Sequence, residues 1–182
     1  MKRSIIATLA LTLLATASVM AQAQPFQASL TPDIAIYDST TQIRGLTLSI
    51  WGENPQHSLA LGIANGMRGD SAGFSLGLLL NYADDYKGVM WACANYTEGD
   101  VLGWQLAFLN YSGGSFTGVQ TAWVNYAQRM KGLQFGLFNF VEDVDEALVQ
   151  IGLLNVIRPN REWFNNFPDQ VAPAMIFVNW RF

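Results

Sequence analysis

The chain has 182 residues, ten Lys and Arg against 14 Asp and Glu, and a formal net charge of −4. With no cluster of basic residues, it lacks the electrostatic footprint of a nucleic-acid binder. One histidine and one cysteine far apart in sequence exclude a zinc site, and the lone Cys93 excludes an internal disulfide.

In chain order, Lys2 and Arg3 come first, then an apolar run over residues 5–19 and the small residues "AQA" at 21–23. These predict a secretory signal peptide over residues 1–23, cleaved after Ala23, with residues 24–182 as a single β-repeat domain. "GENPQHS" at 52–58 brings Glu53, His57 and Ser58 close in sequence, the residue types of a hydrolase site. Adjacent residues on a strand point to opposite faces, so His57 and Ser58 do not readily pair, and we read the stretch as a turn. "GIANGMRG" at 62–69 has glycines without the lysine of a phosphate loop, and is also a turn. We expect no catalytic residue, no metal and no cofactor.

From there the chain repeats itself. "SLALGIAN" at 58–65 and "FSLGLLLNY" at 74–82 are loose copies of "GVMWACANY" at 88–96, "GWQLAFLN" at 103–110, "GVQTAWVN" at 118–125, "GLQFGLFN" at 132–139 and "LVQIGLLN" at 148–155. The asparagines closing these units, Asn65, Asn81, Asn95, Asn110, Asn125, Asn139 and Asn155, are spaced 16, 14, 15, 15, 14 and 16 residues apart. A period near 15 is too short for the usual helical repeats and fits a strand with a short connection. Within each unit the residues alternate. Leu102, Trp104, Leu106 and Phe108 fall on one face, with Gly103, Gln105 and Ala107 on the other. Charges such as Asp84, Asp85, Lys87, Glu98, Asp100, Arg129 and Lys131 lie between units. The acidic connections lack the spacing of a calcium loop and read as solvated tips. Residues 158–173, rich in Pro and Asn, form a longer loop before a last strand, "IFVNWRF".

Two architectures fit. The one we expect is an up-and-down antiparallel β-barrel of about 8–10 strands in the outer membrane, each strand long enough to cross. In it Gln105, Gln120, Gln134 and Gln150 form a lumen-facing polar row, and Trp104, Phe108, Trp123 and Phe135 face lipid. The alternative is a β-solenoid, one coil per repeat, with the bulky face as its core and an asparagine ladder at a corner. The barrel is favoured by the C-terminus. Val178, Trp180 and the terminal Phe182 resemble the assembly signal of bacterial outer-membrane barrels. Against it, such barrels alternate short turns with long loops, and here most connections look equally short.

The repeats also resemble a family of bacterial surface proteins that carry tandem G-L-Q-x-G-L-x-N units behind a signal peptide. "IRGLTLSIWGENPQHSLALGIAN" at 43–65 is similar to the family's opening unit, and "VNWRF" to its closing segment. The resemblance implies a cell-envelope or surface location on a Gram-negative cell and no known activity. The expected function is therefore a small outer-membrane or surface protein with a structural role. Its partners would be outer-membrane lipid and the barrel-assembly machinery, with no nucleic acid. The alternative is a periplasmic, secreted or surface-attached solenoid that binds a partner along its Gln-bearing face.

Overall fold

A computed structural model describes residues 23–182. The leader expected over residues 1–23 therefore lies, but for its last residue, outside the described residues. The strands are β1 (Gln24–Thr31), β2 (Ile34–Ala35), β3 (Ile43–Asn54), β4 (His57–Trp91), β5 (Ala94–Thr97), β6 (Val101–Leu106), β7 (Leu109–Ile157) and β8 (Ala174–Arg181). Drawn straight, the 49 residues of β7 would run roughly 160 Å. They wind instead, and β4 and β7 each pass round bends without losing strand geometry.

The pairing decides between the two architectures. β3 lies parallel to β4, β4 to β6 and β6 to β7, with Gly88 beside Gly103, Gly103 beside Gly118, and Gln105 beside Gln120. The second strands of the coils pair in parallel as well: Asn81 with Asn95, and Asn95 with Asn110. An up-and-down barrel requires antiparallel neighbours, so the barrel expectation is corrected. The chain is a β-solenoid of about seven turns. Like stacks on like because every coil starts in the same phase, one repeat length further along the chain.

Each coil has two short strands and a corner, not one long strand. In the coil from Val101 to Ser115, the first strand is β6. The chain bends at Ala107 and Phe108, and the second strand begins at Leu109. Strict alternation breaks at that bend. Val101 and Gln105 point inward before it, and Asn110 and Ser112 point inward after it, while Phe108 and Leu109 are both exposed. An unbent strand would have put Asn110 on the same face as Trp104, yet Asn110 is fully buried and Trp104 is 44% exposed.

The glycine column shows how tightly the coils stack. Gly88, Gly103, Gly118 and Gly132 all have φ between 129° and 149°, a region L side chains rarely adopt. A Cβ on any of them would lie 1.9–2.1 Å from the carbonyl oxygen of the glycine one coil earlier. Beside this column the interior is apolar towards the charged turns. Val101, Phe116, Met130, Leu148 and Ile157 form one cluster, and Met67, Ala83, Tyr86 and Met90 another. Burial holds the Tyr86 phenol well above its ordinary range.

Both ends reverse direction. β2 pairs antiparallel with β1, and β8 antiparallel with the last coil of β7, Gln150 facing Asn179. A parallel stack exposes a template for further coils at each end, and a reversed strand covers it.

Candidate functional site

The predicted polar row lies in the solenoid interior. Gln105, Gln120, Gln134 and Gln150 are fully buried. Gln120 Nε2 donates to Gln105 Oε1 at 3.1 Å, Gln134 to Gln120 at 2.8 Å, and Gln150 to Gln134 at 2.7 Å. Gln105 Nε2 ends the row by donating to Thr97 Oγ1 at 3.0 Å. The solenoid reading placed a binding surface on these glutamines, and the structure corrects it. Their amide nitrogens donate to one another and to interior hydroxyls and carbonyls, Gln150 Oε1 alone being left without a partner, and no face of the row meets solvent.

A second amide column runs beside the first. Asn65 Nδ2 donates to Asn81 Oδ1, and the pattern continues through Asn95, Asn110, Asn125 and Asn139 to Asn155, over 2.7–3.1 Å. Asn110 also donates to the backbone carbonyls of Gln105 at 3.2 Å and Thr121 at 3.2 Å, bracing the corner. The asparagines therefore open each second strand and hold its bend. The two columns donate in opposite directions, asparagine towards the C-terminus and glutamine towards the N-terminus.

The bulky residues point outward, where the solenoid reading had made them the core. Trp104, Phe108, Trp123 and Phe135 are all exposed, Trp123 at 61%. With their equivalents in other coils they form an apolar edge at the corner. Its floor is a column of small residues: Gly62, Gly77, Ala92, Ala107, Ala122, Gly136 and Gly152. One wall is the residue before each of these, such as Leu106, Phe135 and Ile151, and the other the residue after, such as Phe108, Trp123 and Leu153. Between the walls lie a groove of about 650 Å³ over the C-terminal coils and another of about 480 Å³ bordered by Leu76, Trp91 and Cys93. A third, of about 600 Å³, lies at Leu48, Ile50 and Leu61 by the N-terminal cap. Where the floor is glycine there is no room for a side chain: at Gly152 an added Cβ would fall 2.0 Å from Gly136 O, and at Gly136 2.1 Å from Ala122 O. Over residues 46–51, 59–64, 74–80, 89–94, 104–109, 119–124, 133–138 and 149–154 no position carries a charge.

Charge collects on the opposite edge. The aspartates there cap the turn of a neighbouring coil: Asp85 Oδ1 accepts from Asp100 N at 2.6 Å, and Asp100 Oδ1 from Ser115 N at 2.8 Å. Arg68 pairs with Glu53 and Asp84, Arg129 with Asp145, Lys131 with Glu146 and Arg158 with Glu142. Among the described residues no group of three or more His, Cys, Asp or Glu is placed to hold a metal ion.

The hydrolase candidates are held apart. His57 is exposed, its Nε2 3.1 Å from Asp70 O. Ser58 is buried and donates to Gln56 Oε1 at 2.9 Å, and Glu53 pairs with Arg68. Of the C-terminal residues read as an assembly signal, Val178 and Trp180 lie on the capping strand and Phe182 just past it. Trp180 Nε1 donates to Pro168 O at 2.7 Å, Val178 borders the groove, and Phe182 is exposed with its N–H on Asp169 O at 2.8 Å.

The groove was not anticipated, although each unit signals it. A small residue sits between two bulky ones and is followed by a second apolar residue, as in "LAFL", "TAWV", "FGLF" and "IGLL". Two outward residues in succession are the mark of a bend. Compared with protein-family models, curated proteins and solved structures, the chain finds no match in any of the three.

Proposed function

We propose that the protein is an exported structural and binding solenoid of the cell envelope whose working surface is its apolar corner edge, and that it is not an enzyme. The observation that carries this reading is the uncharged, apolar stripe kept through eight stacked corner segments, from 46–51 to 149–154, while the charges between them fall on the other edge. An exposed apolar patch beyond a few hundred Å² marks an interaction site on a soluble protein. The groove offers no polar groups arranged for chemistry. The envelope location rests on the leader-like residues 1–23 and on the resemblance to surface repeat proteins.

Cys93 supplies the test. It is the only cysteine, it is exposed, and it borders the groove. In intact envelopes a water-soluble maleimide should modify Cys93 at least tenfold more slowly than in the purified, dispersed protein, since a working edge is covered. Equal rates in both would show the edge bare in its native setting and would remove this reading.

A further inference from the structure

We propose that what covers the apolar edge is a lipid surface, into which the solenoid inserts edge-on and to the depth of one leaflet. The inference rests on the reading of the edge as the working surface, and four observations carry it further.

The stripe wraps a corner. Trp104 is exposed on one flank, Leu109 and Phe138 on the other, and Phe108 and Trp123 on the rim between them. The two flanks face away from each other. A rigid partner, a second copy included, would cover one flank or the rim. A fluid acyl phase closes over both.

Polarity is graded across the central coils. The uncharged segment lies at the corner, and Asp85, Lys87, Asp100 and Glu142 lie at the opposite edge. Between them runs a column of Tyr96, Tyr111 and Tyr126, their rings stacked at 5.1 and 5.0 Å. Tyrosine, with an apolar ring and a polar hydroxyl, is a side chain of membrane–water boundaries.

The dimensions suit one leaflet. Each uncharged flank is three to four residues deep, roughly 10–13 Å, close to the 5–10 Å burial of interfacial elements and far short of the ~30 Å bilayer core. Eight stacked segments, seven steps of ~4.8 Å, make the stripe about 34 Å long and give it roughly 900 Å² over both flanks and rim. That exceeds the patches ordinary monomers expose.

Charge identifies the kind of lipid contact. With a net charge of −4 and no basic cluster among the described residues, attraction to anionic headgroups contributes nothing, and apolar insertion supplies the binding. The association should therefore need no anionic lipid and should survive high salt.

Protein recovered from expressing cells would be labelled at Cys93 with a polarity-sensitive fluorophore and floated with phosphatidylcholine vesicles. A Cys93→Ser, Ser115→Cys protein would carry the same label on the charged edge. The proposal expects flotation in both low and 1 M salt, as an order-of-magnitude contrast in ionic strength. It also expects a blue-shifted Cys93 label quenched by acyl-chain nitroxides, and no change at position 115. Trp123→Glu, at an exposed site that leaves the core intact, should weaken partition about tenfold or more, with an unchanged circular dichroism spectrum. Flotation with the Cys93 label still in water would mean that another segment anchors the chain, and would overturn the proposal. Failure to float, or concentration-dependent dimers that bury Cys93 without lipid, would overturn it too. In those cases slow Cys93 modification in envelopes would leave the edge as a protein-docking surface, whereas rapid modification would remove both readings.

Discussion

Gly103 meets the preceding coil with no room for a methyl group: an added Cβ would lie 1.9 Å from Gly88 O, at a φ of 149°. Gly69 also has a positive φ, 55°, but open space around it. The two positions separate crowding from backbone preference. Gly69→Ala should cost about 1 kcal/mol, the left-handed penalty alone. Gly103→Ala should cost about 3 kcal/mol or more, because the coil spacing itself must open. Urea denaturation of both variants checks this, and equal costs would mean that the glycine column serves backbone conformation and not stacking. The column was visible in the sequence as a glycine at fixed phase. Its reason was not, since a carbonyl one coil away is a contact across 15 residues.

At the scale of the element, the Gln and Asn positions and the 15-residue period were legible, and so was the division into charged connections and uncharged cores. The bend at Ala107 and Phe108 was not. Reading residues 101–111 as a single strand kept parity fixed from Val101 to Tyr111, which left Asn110 as a strand terminator and made each strand long enough to cross a membrane. One bend changes both conclusions, since it turns Asn110 inward and halves the strand. The internal amides then become the cohesion of the coils. Asn125 accepts from Asn110 and donates to Asn139 Oδ1 at 2.9 Å and Phe135 O at 3.1 Å. Asn125→Ala would leave several buried polar atoms unpaired, at roughly 3 kcal/mol. Trp123→Ala, two residues away but outward, should cost under ~1 kcal/mol. Comparable losses at the two sites would show that the amide column contributes little.

For the whole molecule, stability should be close to a sum over coils and their interfaces. Removing residues 101–115, one full coil, brings Tyr86 onto Phe116 and Asn95 onto Asn125 in the phase they already share with the deleted residues. The shortened chain should fold, with a strand spectrum unchanged per residue. Removing residues 101–107 alone should abolish folding, because it deletes the first strand of one coil and joins the charged turn after β5 directly to the corner at Phe108, out of phase. Circular dichroism and gel filtration distinguish the outcomes, and a folded product from the half-coil deletion would refute the registered-stack account.

The opposed sense of the two amide columns has an electrical consequence. A side-chain amide is a dipole much like the peptide unit's, about 3.5 D, and a single column of aligned amides would polarise the solenoid along its axis as a helix is polarised. In the coils from Val101 onward each asparagine arrow is matched by a glutamine arrow pointing the other way. The polar spine of that half is therefore close to electrically silent along its length. Neither terminus of that half gains a pole from it, and the field the molecule shows its surroundings is set across the axis, by the charged edge alone.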